Sequence, residues 1–158
     1  MQSKILNLEQ SNAIKVYNEG TYSDKLLLER LYGKEVFNQK ITDRVKSFED
    51  ACEVLGIAPY LPDVSLLEKE FRNSVIAQYK LQVIIKVLNE GWTPDWNDSN
   101  QYKYYTWFNM RNNTLSFRNY HDWATFSGVG SRLCLKTSTL AEYCGKQFIG
   151  LYKDLFLI

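Results

Sequence analysis

Between Tyr102 and Lys136 aromatic rings alternate with basic side chains, the pairing that base stacking and phosphate neutralisation use together. Tyr105, Trp107 and Tyr120 are the candidate stacking rings, with Lys103 and Arg118 interleaved among them. Each base stacked on such a ring is worth about 1–3 kcal/mol. The loop Ser127-Gly128-Val129-Gly130-Ser131 follows, and then Arg132 and Lys136. Backbone N–H groups of Gly128, Gly130 and Ser131 are candidates for an anion-binding nest, with Arg132 and Lys136 supplying charge. The loop has neither the GxxxxGK[ST] spacing nor a GxGxxG opening a helix, since a strand is expected after it. A plain tight turn is the simpler reading of the glycines. A covered sheet is the simpler reading of the rings.

Other chemistry-bearing residues argue for less. His121 is the lone histidine and Asp122 follows it. Adjacent strand residues point to opposite faces, so Asp122 is poorly placed to orient His121 as a general base. No GxSxG elbow accompanies the nearby serines. Asp95 and Asp98 sit in a turn-rich stretch where acidic residues serve the backbone, and no EF-hand pattern is present. Cys52, Cys134 and Cys144 form no CxxC or Cys/His cluster, so no metal and no cofactor is expected, and a reducing compartment fits. Cys52 and Cys144 fall on apolar helix faces. Cys134 is expected on the outer face of a strand, as the thiol open to reagents.

Composition sets wider bounds. The 158 residues are enough for one domain, 1–158, with residues 1–41 as an arm or subdomain and 42–158 as the body. Eleven of the 23 aromatic residues lie between Trp92 and Phe126, including all four tryptophans. Net charge is +1, which predicts no global attraction to duplex nucleic acid or acidic membranes. Locally the balance differs: residues 99–136 carry five basic side chains against Asp122, a net of +4. No apolar run reaches the ~18 residues of a membrane span, and no signal-peptide core is present, so a cytoplasmic location is expected.

The elements that must position these residues read as α+β. Leu6 with Leu8, and Ile14 with Val16, alternate as short strands would. Ser23-Asp24 is expected to cap a helix stopped by Gly33. Residues 42–55 read as one helix ending at Gly56, with Ser47 as an alternative cap. Ser65 and Glu68 form a capping-box pattern before the longest helix, about residues 66–89. Its stripe is Leu67, Phe71, Val75, Tyr79 and Val83. A small antiparallel sheet is expected over about 102–136. In its first strand Tyr102, Tyr104, Thr106 and Phe108 share one face, and Lys103, Tyr105 and Trp107 the other. Asn112-Asn113 makes the hairpin turn. The return strand places Leu115 and Phe117 on one face and Ser116, Arg118 and Tyr120 on the other. A third strand follows at 132–136, with Leu133 and Leu135 inward. Thr139 and Glu142 pattern as the capping box of a last helix, about residues 140–155, in which Gly145 and Gly150 suggest close packing.

Several stretches together, 44–57, 88–96, 102–108, 130–136 and 140–148, resemble a family of small proteins of Bacteroides-type gut bacteria and their phages. Gly130-Ser131-Arg132-Leu133-Cys134 is the most distinctive of them. The resemblance covers about residues 42–158 and transfers no catalytic residue. It implies a phage or prophage setting within a bacterial host cell, with virion assembly, nucleic-acid handling or interference with host defence as the work.

The expectation is a non-enzymatic, homo-oligomeric binding protein for a nucleotide or short nucleic-acid segment, which in such a setting would sequester a host signalling nucleotide. The alternative is a structural or assembly protein whose aromatic face contacts protein, in an oligomer or on a virion. Tyr, Trp and Arg serve both uses. A hydrolase using His121 ranks third.

Overall fold

Side-chain caps at Thr21, Ser47 and Thr137 start three of the helices in the computed structural model, which describes residues 10–157. The chain divides into two units, residues 1–40 and 41–158. In the first, α1 spans Gln10–Glu19, α2 Tyr22–Tyr32 and α3 Lys34–Phe37. Ile14 and Val16 therefore belong to a helix, not the expected strand; Ala13 and Ile14 are buried together while Val16 is exposed. Leu6 and Leu8 lie outside the described residues. Thr21, not Ser23, caps α2: its hydroxyl accepts from the Asp24 amide, and Asp24 returns a bond to the Thr21 amide. Gly33 ends α2 at φ 86°.

The second unit carries α4 (Ile41–Arg44), α5 (Phe48–Leu55), α6 (Lys69–Leu88), the strands β1 (Lys103–Asn109) and β2 (Ser116–Trp123), and α7 (Ser138–Gln147) and α8 (Ile149–Phe156). It is an α+β arrangement of helices on one small antiparallel sheet. The expected helix over 42–55 is broken, because Ser47 and Asp50 form a reciprocal capping box that starts α5 afresh. Gly56 closes α5 in the left-handed region. The Ser65/Glu68 box does not form. The Ser65 amide donates to Asp63 instead, Arg72 binds the Ser65 carbonyl, and α6 begins after Glu68.

α6 has 20 residues, so it is about 30 Å long. Its core face begins at Ala77: Ala77, Leu81, Ile84, Ile85 and Leu88 are buried, whereas Phe71 and Val75 are exposed. Val45, Phe48 and Cys52 from α4–α5 and Leu140, Cys144 and Tyr152 from α7–α8 complete that core. The expected last helix is two helices. Thr137 caps α7 in place of Thr139, and Phe148, buried with φ −107°, separates α7 from α8. Gly145 does mark close packing, against Phe117 and Thr106 of the sheet; Gly150 meets nothing.

The sheet has two strands, not three. Asn112 and Asn113 take positive φ at the turn, as asparagine tolerates. Pairing runs from Lys103↔Trp123 through Tyr105↔His121 to Trp107↔Asn119, then jumps to Phe108↔Phe117. Arg118 is thus an extra residue, a β-bulge. Of the expected third strand only an isolated bridge survives, Leu135 to Tyr104, with N–H···O distances of 3.0 and 2.7 Å. The chain before it turns away as a 3₁₀ turn over Ser131–Leu133.

Candidate ligand-binding surface on the hairpin

The bulge decides which rings face outward. Tyr104, Thr106 and Phe108 face the helices, as their alternation requires, and Phe108 packs on Tyr152 at 4.7 Å. Beyond Arg118 the phase of β2 shifts by one residue. Tyr120, expected beside Arg118 on the outer face, instead lies opposite Thr106 and meets the edge of Tyr104 at 5.6 Å. It leaves the stacking set. His121 and Trp123 take the outer face in its stead.

The outer face is a continuous row of rings. Trp107 lies 5.6 Å from His121, His121 stacks on Trp123 at 6.1 Å, and Trp123 meets Phe126 edge-on at 5.9 Å. Tyr105, 7% exposed, lies beneath, stacked on His121 at 5.7 Å. Burial raises the Tyr105 phenol above its ordinary pKa, opposed in part by a hydrogen bond from Trp123. By contrast Trp107, Trp123 and Phe126 are 52%, 48% and 70% exposed. Large apolar surface left in water beside a packed core commonly marks a binding site. His121 belongs to this stack; its Nδ1 accepts the Asp122 amide at 3.1 Å, and the Asp122 side chain lies toward the opposite face.

The expected phosphate contacts fare unevenly. Lys103 is 1% exposed, its ammonium bonded to the carbonyls of Asp98 (3.0 Å) and Ala124 (2.7 Å) and seated over Trp96. It is a structural cation and leaves the ligand set. Lys136 is paired with Glu90 at 2.6 Å. The glycine loop is closed on itself: the amides of Val129 and Gly130 both donate to the Ser127 hydroxyl. Ser131 accepts from the Trp96 indole at 2.8 Å. The Gly130 amide is therefore not free for an anion. Arg118 and Arg132 remain exposed side chains. Cys134, expected on an outer face, is fully buried and donates to the Gly130 carbonyl at 3.1 Å; burial pushes its thiol pKa up, opposed by Ser127 and Lys103.

A cavity of about 380 Å³ adjoins the row. It is lined by strand residues 105–108 and Met110, by Gly128 and Val129 of the loop, and by Phe156 of α8. Three expected residues, Tyr105, Trp107 and Gly128, therefore come together. His121, Trp123, Phe126 and Phe156 join them unforeseen. The spacing of His121 and Trp123, two residues apart like Tyr105 and Trp107, is the signal that marks them. Asn89 is a further positioning residue: nearly buried, it donates to the Cys134 carbonyl (2.8 Å) and accepts the Lys136 amide (3.0 Å). It pins the segment after the loop to the end of α6.

The fold and site define an α+β protein with one wet aromatic sheet face. No protein-family model matches the chain, and neither does any curated protein or solved structure. Among the described residues no helix is long and apolar enough to cross a membrane, and no cluster of three or more His, Cys, Asp or Glu residues is placed to hold a metal ion.

Proposed function

We propose that this protein is a non-enzymatic binding module that stacks the bases of a nucleotide or short single-stranded nucleic-acid segment on the outer face of its hairpin. The observation that carries this is the unbroken ring row Trp107–His121–Trp123–Phe126, exposed along a two-stranded sheet. Sequence-tolerant binders of single strands use such platforms. Arg118, exposed in the bulge beside the partner of Trp107, is the nearest candidate for a phosphate in the strand register, and Arg132 is a second exposed cation. Within the two strands Arg118 is the one exposed cation, which favours a short ligand over long duplex DNA. In a phage setting the ligand would be a host signalling nucleotide, held without chemistry.

Tryptophan fluorescence titrated with octathymidylate and with mononucleotides tests the reading. Trp123→Ala should weaken binding by about 1–3 kcal/mol, roughly 5- to 150-fold. Arg118→Gln should reduce the salt slope by about 0.7. Quenching that is absent in the wild type, or unchanged in Trp123→Ala, refutes the platform.

A second reading, an assembly protein, draws on another surface. Tyr60, Leu66, Phe71 and Val75, in the linker and first turns of α6, are 80%, 98%, 54% and 38% exposed. Light scattering that gives an oligomer, dispersed by Phe71→Asp, would favour it.

A further inference from the structure

The edge of β1 away from β2 is half used. Tyr104 turns both its N–H and its C=O to that edge and bonds Leu135 with them. Strand alternation turns the same groups of Thr106 and Phe108 to the same edge. A third strand continuing from Leu135 would run opposite them, but the chain leaves as the Ser131–Leu133 turn. The 380 Å³ cavity lies along these strand residues, with Val129 and Phe156 as further lining. Its Gly128 margin is open, since a Cβ built there meets nothing within 4 Å.

We infer that this groove takes an extended segment of a partner protein, added antiparallel to β1 as the third strand of the sheet. Two features commit the occupant to a peptide. The outward N–H and C=O pairs of Thr106 and Phe108 repeat at about 6.8 Å, the period of a strand. The Leu135 bridge shows that this edge already pairs with an antiparallel chain, and the added strand would continue in that sense. Affinity comes from main-chain bonds, and selectivity from the apolar lining, which calls for apolar side chains at alternate positions. The site is separate from the nucleobase row except at Trp107 and the underlying Tyr105.

The test uses the full chain, labelled with ¹⁵N, and a set of heptapeptides with Val, Ile, Leu or Phe at alternate positions and Thr or Ser elsewhere. Each peptide is also made N-methylated at alternate amides, in both phases. The expected result is that a member of the set shifts Gly128, Val129 and Phe156. It should also slow amide exchange at Thr106 and Phe108 at least tenfold, and lose about tenfold in affinity when N-methylated in one phase. Val129→Asp, which puts a charge in the groove, should abolish binding while the amide spectrum stays native. Thr106→Pro, which removes one outward donor, should weaken it where that variant folds. The inference is overturned if no peptide binds at about 1 mM, if both N-methylated forms bind as well as the parent, or if the shifts fall elsewhere.

Discussion

Alanine at Gly145 and at Gly150 should move stability in opposite directions, although both glycines lie in helices of the same unit. A Cβ on Gly145 would lie 2.6 Å from Phe117 Cε2, closer still to Cδ2, and 3.1 Å from Thr106 Cγ2. Carbon pairs prefer about 3.5–4.0 Å, so the Phe117 ring must retreat by about 1 Å. It has little room, with Phe108 edge-on at 6.1 Å and the Lys146 ammonium 5.6 Å from its centroid. Overpacking of this kind costs about 1–3 kcal/mol, against a helix-propensity gain of about 1 kcal/mol. Gly145→Ala should therefore lose up to about 2 kcal/mol. At Gly150 the Cβ meets nothing, so Gly150→Ala should gain about 0.5–1 kcal/mol. For a chain of this size the gap between the two variants, about 0.5–3 kcal/mol, is roughly 1–12 °C in Tm. Urea denaturation gives the same comparison in free energy. Adding Phe117→Ala should rescue Gly145→Ala in a double-mutant cycle. Equal stabilisation by both alanines would refute the close approach of α7 to the hairpin.

Lys103→Met should destabilise by about 2–3 kcal/mol in urea titrations, because it strands the carbonyls of Asp98 and Ala124 that the ammonium now satisfies. Asn89→Ala should cost a similar amount, about 2–3 kcal/mol, and speed amide exchange at Lys136, whose N–H loses its acceptor. Burial lifts the Cys144 thiol to about 12 and pushes the Tyr152 phenol well up too. The folded state then keeps a proton that the unfolded chain releases above pH about 8.5, so stability holds below that pH and falls from there toward 12. The thiol's share approaches about 4 kcal/mol at the upper end. Cys144→Ala should flatten the alkaline limb of a Tm–pH curve.

Local signals were legible where nothing competed with them. Gly56, the Asn112-Asn113 turn and the Ser47 cap each act within one turn of chain, and the structure uses all three. Ser65/Glu68 and Thr139/Glu142 carry a pattern like Ser47/Asp50, yet Asp63 takes the Ser65 amide, and Thr137 caps its helix two residues earlier by accepting the Leu140 amide. The faces of β1 followed from alternation alone. Those of β2 did not, since alternation cannot announce an extra residue at Arg118. Lys103 looked like a ligand cation because its burial depends on Asp98 and Ala124, the latter 21 residues away. Lys136 and Ser131 were taken up by Glu90 and Trp96 across wider gaps, 46 and 35 residues. Tyr105, Trp107, Arg118 and Arg132 were legible; the loss of Tyr120, the gain of His121, Trp123 and Phe126, and the groove were tertiary facts.

The bulge also makes one position of β2 unlike its neighbours. Asn119 faces Trp107 and Phe117 faces Phe108, so excising Arg118 would join two residues already in step. Loss of Asn119 is equivalent, since Arg118 would take its place opposite Trp107, whereas loss of Tyr120, His121 or Asp122 would exchange wet and dry faces along part of the strand. Within the paired part of β2 a shorter chain is therefore tolerated only at the bulge, where it gives up the Arg118 charge or the Asn119 amide.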